Sequence, residues 1–316
     1  MLAHLAACQR ESPAGPQPQP PASAAAAGAS ASAAAPPASA VASATPAPPP
    51  ARTDGCAAGM VRVEGEYCPA VIQECLEHHP EYRANQDSRT VSERCLRFAE
   101  PTRCVSSERR HLAFCMDRYE WPNVEGELPR VLTSWLEARV LCERAGKRLC
   151  TEDEHNFACE GPEMLPHVYG HVRDATRCNI DKEYRQPDQS RQLPTYDKCL
   201  VTPACSEELA RLDQRHRIGA RLTCVSWAGV VDLNGNVNEW VELPGKKYPN
   251  RSGLKGGWWG PVRNRCRPTV TFHKEHDYGY EAGFRCCADT ASAASAPAPS
   301  SSAASVPPPS PPASAP

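Results

Sequence analysis

The chain has 316 residues, with 35 basic against 37 acidic side chains and 17 cysteines. That near-neutral balance gives no electrostatic case for nucleic acid or an anionic membrane surface, and no apolar run reaches the roughly 20 residues of a membrane-spanning helix. Residues 12–51 and 290–316 are almost entirely Ala, Pro, Ser, Gly and Gln and carry no charged side chain; they bury too little apolar surface to offset chain entropy and are expected to be disordered spacers.

The chain opens on Leu5-Ala6-Ala7-Cys8, a tetrad that resembles a bacterial lipoprotein processing signal, in which the Cys becomes the lipidated N-terminus. Only seven residues precede Cys8, fewer than a secretion signal needs, so a start further upstream is expected. The plainer alternative is a stray Cys in a disordered tail. The expected organisation is then a signal remnant at 1–8, a linker at 9–54, a Cys-rich N-terminal part at 55–113, a core at 114–289 and a tail at 290–316. The expected location is the bacterial cell envelope, lipid-anchored and extracytoplasmic, touching the membrane through that anchor alone.

Sixteen cysteines fall between Cys56 and Cys287, widely spaced and without one C-x-x-C. Thiolate metal sites use tight pairs because two sulfurs must reach one ion from one turn. A disulfide framework has no such need, so disulfides and an oxidising compartment are expected.

In chain order, Gly59–Gly65 reads as a short strand closed by a turn, and Ile72–Leu76 and Val91–Phe98 as short helices stapled by Cys75 and Cys95. Phe114–Asn123 reads as a strand ending in a turn. Ser134 with Glu137 is a capping box opening a helix whose apolar face is Trp135, Ala138, Leu141, Cys142 and Ala145, stopped by Gly146. Thr151 with Glu154 is a second box, opening a helix that ends near Gly161. From Leu222 onward the text is rich in Gly, Trp and turns, with short strands.

Six pieces in order carry a family resemblance: Ser134-Trp-Leu-Glu-Ala138; Ala145-Gly-Lys-Arg-Leu149-Cys-Thr-Glu152; Asp232-Leu-Asn-Gly-Asn-Val-Asn-Glu-Trp240; Lys255-Gly-Gly257; Arg265-Cys266; and Gly283-Phe-Arg-Cys286. The chain resembles the formylglycine-generating-enzyme, or sulfatase-modifying factor, family from about Gly59 to Asp289. The resemblance implies an α+β, C-type-lectin-related fold, low in regular secondary structure and disulfide-rich. It implies the pairs Cys142–Cys286 and Cys159–Cys266 and leaves the other twelve cysteines unassigned. Cys286 and Cys287 cannot both join Cys142, so Cys287 needs another partner or is free.

The resemblance also implies calcium, held by the side chains of Asp232 and Glu239 and the carbonyls of Gly235 and Val237. Calcium takes six to eight oxygens of this mixed kind; the alternative is an Asn/Gly turn with solvated ends. A second family calcium site begins with an Asn-Ile pair, which Asn179-Ile180 fits. The family enzyme oxidises a substrate cysteine through copper on two thiolates, the first lying four residues after Lys-Gly-Gly. Here that position is Pro261. The family's Ser after Gly-Gly is Trp258, and its Trp before Glu-Trp is Asn238. Neither copper nor iron is expected.

The reading is a surface-anchored family member without cysteine-oxidising activity, a calcium-stabilised module binding a peptide or a glycan. Trp258, Trp259, Arg263 and Arg265 lie where the enzyme binds its peptide, and stacked aromatics with Arg suit either ligand; the tryptophans could equally belong to the core. The rival is a metal-dependent oxidoreductase with relocated ligands, drawing on His273, His276 or Cys287.

Overall fold

A computed structural model describes residues 55–84, 94–191 and 193–290. The expected lipidation site Cys8, the linker to residue 54 and the tail from residue 291 lie outside the described residues.

The first strand, β1 (Met60–Tyr67), alternates Val61 and Val63 inward with Arg62 and Glu64 outward, the two-residue period of a sheet with one buried face. It pairs antiparallel with β6 (Arg110–Asp117), which places Val61 opposite Met116 and Val63 opposite Phe114. Two short strands complete this sheet in the order β1-β6-β11-β7: β7 (Arg148–Leu149) and β11 (Cys286–Asp289). A three-stranded sheet runs β10-β8-β9. There β8 (Asn238–Glu242) pairs antiparallel with β9 (Ser252–Lys255) and parallel with β10 (Ala282–Phe284).

In the segments expected as N-terminal helices, the described residues form strands instead. After β2 (Val71–Ile72), which pairs with β5 (Arg103–Cys104), β3 (Cys75–His78) pairs antiparallel with β4 (Cys95–Phe98), and a Cys75–Cys95 disulfide crosses that pair. A short isolated helix leaves most of its end N–H and C=O groups without an intrahelical partner. A cross-strand ladder closed by a disulfide satisfies the same backbone groups. Among the described residues of that stretch, α1 (Pro80–Ala84) is the one helix.

Ser134 caps α2 (Trp135–Arg144), accepting from the Glu137 N–H at 3.2 Å. The return half of that box does not form, because Arg130 takes the Glu137 carboxylate at 2.7 Å. At α3 (Glu152–Glu160) both halves form: Thr151 Oγ1 accepts from Glu154 N, and Glu154 Oε2 accepts from Thr151 N at 2.8 Å. Such a cap is worth about 1 kcal/mol. Two further helices, α4 (Tyr196–Leu200) and α5 (Pro203–Leu212), follow.

All sixteen cysteines from Cys56 to Cys287 are in disulfides: Cys56–Cys115, Cys68–Cys104, Cys75–Cys95, Cys142–Cys286, Cys150–Cys287, Cys159–Cys266, Cys178–Cys224 and Cys199–Cys205. The adjacent Cys286 and Cys287 serve two partners because successive side chains of a strand point to opposite faces. Cys286 joins Cys142 in the cluster of Trp135, Trp240 and Phe284. Cys287 joins Cys150 in the cluster of Val61, Val63, Phe114 and Met116. The strand β11, which carries both cysteines, is therefore a shared wall between two parts of the core. Eight disulfides place the domain in an oxidising, extracytoplasmic setting, and among the described residues no helix is long and apolar enough to cross a membrane.

Candidate functional site

The turn leading into β8 is shaped by left-handed backbone at Asp232 (φ 60°), Gly235 (φ 81°) and Asn236 (φ 57°). Gly235 has no alternative: a Cβ there would lie 2.4 Å from the Asn179 carbonyl oxygen and 2.5 Å from the Ile180 side chain. The sequence pair Asn179-Ile180 thus packs directly on this loop. Asn236 N donates to Asn179 O at 2.9 Å, and Asn179 Nδ2 donates to Asn236 Oδ1 at 3.0 Å. Asn236 is a hub, for its Oδ1 also accepts from His216 N at 2.8 Å and its Nδ2 donates to Glu120 Oε2 at 2.7 Å.

Glu239, one residue into β8, is buried and held by Arg285 from β10's end. Arg285 Nη2 donates to Glu239 Oε1 at 2.6 Å and Nε to Oε2 at 2.7 Å. Its remaining N–H groups reach the carbonyls of Asp117, Arg118 and Val231, so the planar guanidinium is fully used, a role a lysine could not fill. Glu120 completes the group, its Oε1 accepting from the Val237 N–H at 3.2 Å. Neither the Glu120 nor the Arg285 role was legible in the sequence; Arg285 stood out only as part of a family motif.

Three buried carboxylates, Glu120, Asp232 and Glu239, therefore face one buried guanidinium. Burial, then the charges of Asp232 and Glu239, pushes Glu120 well above the usual carboxylate range. Burial pushes Asp232 up to about 7; Arg285 pulls it down and Glu239 adds to the rise. Burial would raise Glu239 too, but the Arg285 guanidinium, with His155, holds it below its ordinary value. The imidazole of His155 is wholly buried 3.5 Å from Glu239, and burial favours its neutral form.

The turn and its carboxylates present oxygen donors of the kind a divalent cation takes. No hydrogen bond offsets the burial of Asp232 among the described residues. If all three carboxylates ionise against one guanidinium, the group carries a net charge of −2, which one divalent cation neutralises. Hard oxygens on a glycine-containing turn are the donors calcium takes. Among the described residues no three His, Cys, Asp or Glu side chains converge on one point, so carbonyl oxygens would have to supply the rest of the shell.

The surface expected around the tryptophans is arranged differently. Trp259 is fully buried and Trp258 is 8% exposed, in a cluster with Val131, Leu132, Leu209 and Tyr280. Trp258 meets Trp259, Tyr280 and Tyr184 edge-on at centroid distances of 5.2, 5.8 and 6.2 Å. The two rings fill the interior and are not displayed as a platform. Their flanking arginines diverge: Arg263 lies over Phe272 at 5.5 Å, and Arg265 over Phe98 at 5.3 Å. Pro261 O accepts from Arg173, and Asn238 is buried at the start of β8, its N–H donating to Glu281 O. His273 sits 3.7 Å from Asp277, His276 packs on Tyr248, and Cys287 is committed to Cys150.

Residues 96–290 match the sulfatase-modifying factor enzyme 1-like domain family. Among solved structures, the chain is similar to CarF, at 14% identity over 73% of this chain and 97% of that one, with a TM-score of 0.43. PvdO from Pseudomonas aeruginosa matches at 14% identity over 73% and 94%, with a TM-score of 0.40. Treponema denticola variable protein 1 matches at 14% identity over 72% and 99%, with a TM-score of 0.39.

Proposed function

This chain belongs to the sulfatase-modifying factor enzyme 1-like family, and from that premise we propose that it is a member that binds a ligand without oxidising cysteine, a calcium-stabilised module tethered outside the cytoplasm by lipid on Cys8. The state of the cysteines carries this reading. Copper chemistry of the family kind needs two thiolates, and the sixteen cysteines of the domain are all spent on disulfides that pin strands and helices together. The position four residues after Lys255-Gly-Gly257 is Pro261, which offers no ligand. Trp258, at the position of the family's Ser, packs in the core with Trp259, Tyr280 and Leu209.

Calcium would be held by the carboxylates of Asp232 and Glu239 with the carbonyls of Gly235 and Val237. It would supply charge neutralisation and rigidity to the turn, not redox chemistry. The chain's own residues would position it: Arg285 orients Glu239, and Asn236 with Asn179 fixes the loop. The ligand of the module is a peptide or a glycan, met by a surface built on this rigid, cross-linked frame.

The test is incubation of the oxidised protein with copper, oxygen, reductant and a Cys-x-Pro-x-Arg peptide, followed by mass analysis for the aldehyde. The expected result is no turnover above a protein-free control. Turnover, or stoichiometric copper or iron in the purified protein, would overturn the reading in favour of relocated ligands.

A further inference from the structure

An open groove of about 840 Å³ lies beside the turn that carries Asn236, lined by residues of the stretch 215–223 and by Thr176. None of the residues lining it is acidic, while Arg215, His216, Arg217 and Arg221 all line it. Arg215 is already spent, held by both oxygens of Asp213. The other three are differently placed. Arg217 is exposed and commits one nitrogen, donating to Gly126 O at 2.8 Å.

Arg221 is fixed from three sides. Its Nη1 donates to the carbonyls of Ala175 and Thr176, at 3.2 and 2.6 Å, and its Nε donates to His216 Nδ1 at 3.0 Å. A guanidinium has no lone pair to offer, so His216 Nδ1 must be the acceptor and Nε2 must carry the ring proton. That leaves the His216 Nε2–H and the Arg221 Nη2 as donors, with orientation already set before any ligand arrives. Lys182 is close enough to act on His216 electrostatically. Three acids lie near it: Asp174 accepts from Thr176, Glu125 accepts from Tyr119 beside Gly219, and Asp232 is buried. Leu222, 63% exposed, gives the same groove an apolar lip.

We propose that this groove is the ligand site of the module, and that it takes a ligand through one oxyanion group, a carboxylate, sulfate or phosphate, held by Arg217, Arg221 and the His216 Nε2–H. The inference rests on the binding-module reading and gives it a chemical class of ligand. Arg forks match the planar or tetrahedral oxygens of such groups. Prior fixing of Arg221 removes part of the ordering cost of binding. A volume of about 840 Å³ accommodates a sugar-sized body behind the anionic group, and Leu222 can cover its carbon face.

The experiment is calorimetric titration of the intact, oxidised protein at constant ionic strength with sodium sulfate, sodium glucuronate and glucose. The expected result is that at least one anion binds at least tenfold more tightly than glucose, and that Arg217→Gln and Arg221→Gln each weaken it at least tenfold. Glucuronate above sulfate identifies a carboxylate ligand; the reverse identifies a sulfate or phosphate ester. Arg221→Gln also unties residues 175–176, so the exposed Arg217→Gln is the cleaner arm. No anion preference, or binding unchanged in both variants, overturns the proposal. A peptide or glycan that binds equally to wild type and Arg217→Gln would remove the groove while leaving the binding module standing. Formylglycine turnover would remove the module reading by a separate route.

Discussion

Arg285 holds both oxygens of Glu239, at 2.6 and 2.7 Å, with both side chains only 1% exposed. The two residues come from parallel neighbours, β8 and the end of β10, and Arg285 also donates to the Val231 carbonyl, tying the three-stranded sheet to the loop that carries Asp232. Desolvating both charges is expensive, and the pair is tolerated because all of the guanidinium's donors are satisfied.

Removing one partner should cost far more than removing both. Arg285→Met leaves Glu239 buried beside Asp232 and Glu120 and should destabilise by about 3–5 kcal/mol. The double variant Glu239→Gln/Arg285→Met should be less destabilised than Arg285→Met alone. Chemical unfolding of the two single variants and the double variant measures this coupling; strictly additive losses would show that the pair does not act as a unit.

Calcium removal should lower the melting temperature. At about 100-fold excess over Kd, a bound ion contributes about 2.7 kcal/mol, or about 5–10 °C at about 2–4 °C per kcal/mol. Asp232→Asn removes a buried carboxylate that has no hydrogen-bond partner of its own among the described residues and should make melting insensitive to chelator. The same melting curve for wild type with and without chelator counts against the ion.

Stability should rise with pH on account of Lys255. This side chain is fully buried, donating to Arg267 O at 2.8 Å and Thr269 Oγ1 at 3.1 Å, and burial pulls its pKa down to about 7 against the opposing pull of Glu152. In the unfolded chain it titrates near about 10.4. Between those values the unfolded state binds more protons, so unfolding free energy increases with pH across that window. The burial penalty is absent above about pH 10.4 and complete below about 7. Urea unfolding at several pH values should show the rise in wild type and a shallower one in Lys255→Met; parallel pH profiles would refute it.

The disulfides should differ in worth with the loop each closes. Cys142–Cys286 spans 144 residues and Cys199–Cys205 spans 6. The chain-entropy relation gives roughly 5 against roughly 2 kcal/mol. Replacing each pair by Ala and comparing unfolding midpoints tests the order, and a larger loss from the Cys199–Cys205 pair would invert it. Mass spectrometry without reduction should recover a fragment carrying both the 142–286 and 150–287 links.

The sequence by itself determined the family, the disulfide-rich chemistry, the first strand and the two capped helices. Those signals are local: alternation in Val61 and Val63, or a Thr151 and Glu154 three residues apart, is written within one turn or one strand. The Asn-Gly turn at 234–236 was legible for the same reason, since its left-handed backbone suits those residue types. Only the tertiary structure decided the rest. Nothing near Trp258 and Trp259 in sequence says that Tyr280 and Leu209 cover them. Four-residue segments around Cys75 and Cys95 became strands because they found each other, not because of their own propensity. Glu120 meets the Val237 N–H across 117 residues of chain, and burial there sets which carboxylates remain charged. The sequence reading did not single out Arg215-His216-Arg217 with Arg221, because which guanidinium is spent and which faces an open groove depends on Asp213 and the carbonyls of residues 175 and 176. Burial and charge compensation are properties of the surroundings a side chain acquires on folding, and those surroundings come from distant parts of the chain.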